Sequence, residues 1–242
     1  MQGLLKLLAA VVLAIGVAAS GWLAGSKLVE SRTGLRTVTV KGLAERNVKA
    51  DLGFWPLRFV ATGPTLEEAR IRLESSEQAV SKFLADRGFK PADAEIQNIL
   101  VEDKLAGYNS GEQPAEIRFV LTEDILVRST DVELLAKSAR EIGELLKSGV
   151  VFTNDSWSAG PSYIFTKIND LKAEMLSEAI KRAKETAATF ASESGGKVGA
   201  IQTANQGVFE ILPAIAIPND RPEKQIDKTV RVVTTITYFL AQ

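Results

Sequence analysis

An α+β fold, built of antiparallel sheet layers with three main helices packed on one face, is the architecture this sequence predicts. Three observations predict it. The segments around Val38-Thr39-Val40 and from Val230 to Leu240 alternate in side-chain character with period two, as half-buried strands do. Three longer segments repeat apolar residues at helical spacing, and each ends at a glycine. The two kinds of segment then recur as strand pair followed by helix, the order that lays helices over one side of an antiparallel sheet.

The chain of 242 residues opens on a different pattern. After Lys6 no charged residue occurs from Leu7 to Ser26, and an apolar helix of about 20 residues at ~1.5 Å each spans a bilayer core of ~30 Å. Cleaved signals have shorter apolar regions, roughly 7–15 residues. Ala18-Ala19-Ser20 offers a cleavage site, but the run continues through Trp22 and Leu23, with the indole where interfacial aromatics are favoured. The expectation is an uncleaved single-pass anchor over residues 1–26, a linker over 27–36 and one folded domain over 37–242. Lys27, Arg32, Arg36 and Lys41 follow the span closely and count toward a cytoplasmic domain. A short leading tail with one lysine also suits an export signal, so the expected location is the inner membrane with the domain in the periplasm or outside the cell. Gly21 and Gly25 are spaced as a helix-packing GxxxG pair, which a Gly/Ala-rich run produces by chance.

In the soluble part, a first strand carries Val38 and Val40 and ends at Gly42. A second runs from about Val48 to Ala61, and Pro56 inside it, unable to donate to a ladder, implies a bulge or an edge. Thr65 and Glu68 form a capping box, and the helix after them lines up Leu66, Ala69, Leu73, Val80, Phe83 and Leu84 before stopping at Gly88. Strands over about 95–105 and 116–128 form a long hairpin across the polar segment 106–114. Thr130 and Glu133 repeat the capping-box spacing ahead of a helix with Val132, Leu135, Ala139, Ile142 and Leu146 on one side, ending at Gly149. A strand pair over 150–158 and 162–166 precedes the longest helix, 168–194, whose Leu171, Met175, Ala179, Ala183, Ala187 and Phe190 share a stripe. The alanines there let another surface come close. Strands over 197–205 and 229–241 complete the domain, and apolar residues on both faces of the last place it centrally in its sheet.

The composition narrows the chemistry. The chain has no histidine and no cysteine, which excludes His-bearing triads, thiol nucleophiles, His- or Cys-ligated zinc, iron–sulfur clusters and disulfides. Ser194-Gly195-Gly196-Lys197 matches S-x-x-K, but two glycines at a helix end make it a helix stop. Glu102-Asp103 and Glu123-Asp124 could offer oxygen ligands to a divalent cation. A hairpin closing around Ser110 sets Glu102 opposite Arg118, so cross-strand ion pairing is the favoured reading. Gly195, Gly196 and Gly199 fit neither a Walker loop nor a dinucleotide fingerprint. Basic residues interleave with acids, with 29 of one and 30 of the other, and nucleic-acid binding is not expected. No cofactor and no metal site is assigned.

One segment stands apart. From Val208 to Pro222 the chain carries Phe209, Ile211, Leu212, Ile215 and Ile217, broken by Pro213 and Pro218, with no clean alternation. A loop this apolar either folds over its own sheet or meets a subunit or protein partner, and those five residues are the candidate contact. Trp157 and Tyr163 flank the turn at Ala159-Gly160-Pro161, with core packing the expected role.

Three stretches resemble the SIMPL domain family, named for a signalling molecule that associates with a Pelle-like kinase. They are Val38-Thr39-Val40-Lys41-Gly42 leading to Val48-Lys49-Ala50-Asp51, the helix holding Ala179-Ile180-Lys181-Arg182-Ala183-Lys184 through Gly195 and Val198-Gly199, and the terminal Val230 to Leu240. The chain departs from the family pattern at Gly42-Leu43-Ala44, where Gly-x-Gly is frequent, and at Ala50-Asp51, where Pro-Asp is. The resemblance implies an exported or membrane-tethered bacterial domain; bacterial members include periplasmic immunogenic and oxidative-stress-defence proteins, and some assemble into rings. The expectation for this chain is a domain that works without catalysis, by homo-oligomerisation or protein binding. The resemblance brings no catalytic constellation. The alternatives are a hydrolase-type enzyme using carboxylates or a Ser–Lys pair, and a carrier of a small ligand.

Overall fold

The computed structural model describes residues 13–22, 36–106, 117–153, 160–218 and 221–241. Helix α1 covers residues 13–22 with its side chains exposed, and no helix among the described residues is long and apolar enough to cross a membrane. The remainder of the expected anchor and nearly all of the linker lie outside the described residues. The folded part runs β1 (Thr37–Lys49), β2 (Leu52–Gly63), α2 (Leu66–Asp86), β3 (Ala94–Asp103), β4 (Phe119–Ser129), α3 (Val132–Arg140), α4 (Gly143–Lys147), β5 (Val151–Phe152), β6 (Ser162–Ile164), α5 (Ile168–Glu193), β7 (Lys197–Pro213) and β8 (Asp227–Ala241). The fold is α+β with antiparallel sheet, and it divides into two compact units. One comprises Met1–Ala44, Ala173–Phe209 and Val232–Gln242; the other comprises Glu45–Lys172 and Glu210–Arg231.

The first unit rests on the three-stranded sheet, ordered β1-β8-β7. β8 is central, as its two-sided apolar pattern predicts, and Val232, Thr234, Ile236 and Tyr238 alternate into the core. α5 meets this sheet through Met175, Ala179, Ala183, Ala187 and Ala191, all buried. Small side chains at four-residue intervals leave a flat groove along the helix, and the sheet comes to backbone distance. At Gly42 a Cβ atom would lie 1.9 Å from the Ala179 carbonyl oxygen and 2.8 Å from the Ala183 nitrogen. The expected strand end at Gly42 is therefore corrected: β1 continues to Lys49, and the glycine is there because nothing larger fits under α5.

The second unit holds a five-stranded sheet, ordered β3-β4-β2-β5, with β6 also paired to β2. β2 and β4 stay in register from Gly53 opposite Ser129 to Gly63 opposite Phe119. The core face of β2, with Trp55, Leu57, Phe59 and Ala61, packs with Leu73, Val80, Phe83 and Leu84 of α2 and with Val132 and Leu135 of α3. Trp55 meets the Phe83 ring edge-on at 6.4 Å. Pro56 marks no bulge. Its ladder to β4 is unbroken, and on the other flank, among the described residues, β5 pairs only at Phe59 and Val60 and β6 only at Leu52 to Phe54. The register shift falls instead in β3, between Ile96 and Asn98.

Capping decides where the helices begin. Thr65 caps α2 as expected, its hydroxyl accepting from the Glu68 amide at 3.3 Å, and Gly88 follows with φ +93°. At α3 the expected Thr130 box is corrected to Asp131, whose carboxylate accepts from the Leu134 amide at 2.9 Å. Glu133 pairs with Lys49 instead, at 3.1 Å. The single helix expected to stop at Gly149 is two: α3 stops at Arg140 and α4 restarts at Gly143. Arg87 bonds Glu141 at 3.0 Å and Glu144 at 2.7 Å across this break. The restart changes the helical phase, so Leu145 is buried and Leu146 is exposed. The expected strand over 150–158 is only Val151–Phe152; residues 154–159, Trp157 among them, lie outside the described residues. Tyr163 is in the core.

Candidate functional site

Each of the two sheets offers its own candidate surface at its border strands. A border strand presents unpaired N–H and C=O groups, and proteins usually blunt it with charge, proline or brevity. β5 is two residues long. β1 carries Lys41, Glu45, Arg46 and Lys49. β7 has neither defence: from Val198 to Phe209 it holds no charged residue and no proline, and residues 200–206 are all exposed. Ile201 is 51% and Val208 77% exposed. β3 is the second bare border, with Ile96 to Val101 uncharged between Glu95 and Glu102.

Of the five predicted contact residues, the structure brings Phe209, Ile211 and Leu212 into the end of β7, half-buried. The irregular segment expected from Val208 is thus corrected to strand as far as Pro213, in which the adjacent half-buried Ile211 and Leu212 break the alternation. Ile215 and Ile217 lie beyond it on an exposed turn. The Gln225 side chain clasps Ile215, accepting from its amide at 3.3 Å and donating to its carbonyl at 2.8 Å. Lys228, 2% exposed, donates to the carbonyls of Pro222 and Gln225 and fixes the next turn; its burial lowers the pKa of the ammonium.

The acidic pairs separate. Glu102 faces Val120, not Arg118, because the hairpin centre falls one residue later than symmetry about Ser110 requires. Arg118 bonds Asp103 twice, at 3.2 and 3.0 Å, and this guanidinium, with the Leu105 amide, lowers the Asp103 pKa. Glu102 takes Lys104 at 2.7 Å. Asp124 stands opposite Arg58 and forms a two-pronged pair with it. Glu123, its neighbour, points the other way. It is 1% exposed, its Oε1 has no hydrogen-bond partner, and burial, with the Glu77 carboxylate adding, pushes its pKa up to about 7. The signal was in the sequence: in Leu121-Thr122-Glu123-Asp124-Ile125-Leu126-Val127, position 123 falls in phase with the apolar residues.

Among the described residues no three His, Cys, Asp or Glu side chains stand where they could hold a metal ion. The S-x-x-K serine is a helix terminus: Ser194 Oγ donates to the Phe190 and Ala191 carbonyls at 2.9 and 3.0 Å, and Gly195 follows with φ +72°. Within the second unit, a groove of about 180 Å³ runs between α2 and β3, lined by Glu77, Ser81, Leu84, Ala85, Ala94 and Ile96 among others.

The model of the SIMPL family, described as a protein of unknown function (DUF541), matches residues 38–238. No curated protein matches the chain. Two solved structures are similar to it in part. One, described as a candidate amidohydrolase/peptidase from Burkholderia cenocepacia, has 14% identity and TM-score 0.21, with 60% of this chain and 36% of that one covered. The other, an uncharacterized conserved protein from Listeria innocua, has 12% identity and TM-score 0.20, with 78% and 91% covered. The chain thus spans about a third of the first protein, and similarity at these scores carries no argument.

Proposed function

This chain belongs to the SIMPL family, and from that premise we propose that it is a membrane-anchored cell-envelope protein whose domain works by self-assembly or protein binding, not by catalysis. The uncharged run from Leu7 to Ser26 supports the anchor. The observation that carries the reading is β7, a 17-residue border strand uncharged from Val198 to Phe209, which offers a row of backbone donors and acceptors to an added strand.

Sedimentation of the full-length chain tests this. The native protein is expected to run as an oligomer or to retain a partner, and the double variant Ile201→Lys/Val208→Lys, altered only at exposed positions, is expected to run as a single chain. A native particle of one chain with no retained partner refutes the assembly role. Reporter fusions after Gly34 and at the C-terminus test the placement, with export signals expected at both. A role in oxidative-stress defence is part of the proposal; a strain carrying only the double variant is expected to lose peroxide tolerance.

A further inference from the structure

Where α2 lies on β2 and β4, helix and sheet each place a carboxyl group at a position their periodicity reserves for apolar residues. Along α2 the buried stripe runs Ala69, Leu73, Val80, Leu84. The step from Leu73 to Val80 skips a turn, and the residue that fills it, four after Leu73, is the half-buried Glu77. Along β4, Leu121, Ile125 and Val127 alternate into the core, and Glu123 takes the place between the first two. Phe59 of β2 and Ile99 of β3 stand directly opposite it. Its Oε1 has no hydrogen-bond partner.

The other charged groups of the surrounding elements are engaged elsewhere or turned away. On β2 the core-facing Trp55, Leu57, Phe59 and Ala61 are uncharged, and Arg58 holds Asp124 on the opposite sheet face. On β3 the shared face carries Asp103, held by Arg118, while Glu102 takes Lys104 and Glu95 stands opposite Leu126, on the other face. On α2, Arg70 is bonded to Glu67 and Glu74, Arg72 reaches Glu68 and the Thr62 carbonyl, Arg87 holds Glu141 and Glu144, and Lys82 and Asp86 are exposed. Before β3, the Asp93 carboxylate accepts from the Lys90 amide, and Lys90 lines the same groove as Glu77. Among the described residues, Glu77 is the charged group that acts on Glu123.

A carboxylate at position 123 would have neither water nor a cation and would face a like charge, whereas the neutral acid carries a much smaller burial cost. The charged form is relieved when the helix above it moves off and water enters. We propose that Glu123 and Glu77 form a proton-dependent clasp: α2 lies closed on the β4 row while Glu123 holds its proton, and opens locally from that row when the proton passes to solvent. Burial and Glu77 place the titration at about 7, against about 4.5 for an ordinary glutamate. The closed form is therefore at full stability below about pH 4.5, weakens as pH rises and stays weak above about 7. The clasp uses neither β7 nor the anchor, so it fails or stands apart from the assembly reading.

Amide hydrogen exchange of the full-length chain, read peptide by peptide by mass spectrometry, tests this, with α3 of the same unit as the internal reference. After correction for the chemical exchange rate, protection of α2 relative to α3 is expected to fall at least about tenfold between about pH 5.5 and about pH 8. Glu123→Gln, neutral at both, is expected to hold the ratio constant. Glu77→Gln removes the like charge and is expected to move the fall to lower pH, while Glu74→Gln, on the exposed side of the same helix, leaves it in place. Circular dichroism verifies that each variant is folded; the native profile and the Glu77 variant keep the test open should Glu123→Gln misfold. A native ratio that ignores pH, a fall that persists in folded Glu123→Gln, or a Glu77→Gln profile identical to the native one overturns the proposal. An equal fall in α2 and α3 does so too, and assigns the titration to unfolding of the whole unit.

Discussion

The two units join helix to sheet by opposite means. In the first, α5 offers alanines to Gly42, Val40 and Ile236, and backbones touch. In the second, α2 and α3 stand off from the sheet on large side chains, and Trp55, Phe59, Phe83 and Leu135 fill the space. The first joint has no room for an added atom, and the second has no substitute for a lost one. Packing quality is thus not one property of the molecule: steric exclusion governs one unit and buried volume the other.

The largest effect that sharpens this contrast is expected at Trp55. Trp55→Ala should cost about 3–5 kcal/mol in urea unfolding, the range for emptying a buried aromatic site, and a loss below ~1 kcal/mol would mean the space collapses freely. Gly42→Ala comes next. One added methyl under the Ala179 carbonyl should cost about 3 kcal/mol, and Ala179→Gly should not restore it, because the obstacle is backbone; a tolerated Gly42→Ala breaks the comparison.

Glu123→Gln tests the second unit's core by charge. The folded-state pKa is raised to about 7 from an ordinary glutamate value of about 4.5, so the unfolded chain gives up this proton first. Stability from this group is whole below about pH 4.5, declines as pH rises toward 7 and stays low above. Gln in its place should flatten that decline and raise stability at pH 8 by ~2 kcal/mol; parallel pH profiles for the two proteins would show that Glu123 is not held neutral. The smallest expected effect is at the α3 cap, where Asp131→Ala should cost ~1 kcal/mol, read as a shift in urea midpoint. Thr130→Ala should do nothing, since Thr130 is not the cap.

Local signals were the legible ones. The Thr65 cap, the left-handed glycines at 88, 149 and 195 and the two-sided pattern of β8 each depend on a few neighbouring residues, and each reads correctly from sequence. What failed depended on distant chain. A glycine inside an alternating run reads as a stop unless the helix above it is known, and Ala179 is far along the sequence from Gly42. β7 reads as a strand over 197–205, but its continuation to Pro213 does not, because Gly207, Pro213 and the adjacent Ile211 and Leu212 break the alternation. Next to Asp124, Glu123 reads as half of an acidic pair, although alternation sends the two to opposite faces of the sheet. The five apolar residues expected as contacts lie at and beyond the end of β7, while the uncharged length before them is polar and small and carries no apolar signal.

The close seat of Gly42 has a consequence for how the chain finds its pairing. Were β1 to slide by one residue, Lys41 or Leu43 would take the place beneath the Ala179 carbonyl; were it to slide by two, Val40 or Ala44 would. Each of these brings a Cβ into a site that admits none, so every neighbouring alignment is barred by hard contact, and a missing side chain acts as the pin that fixes the strand.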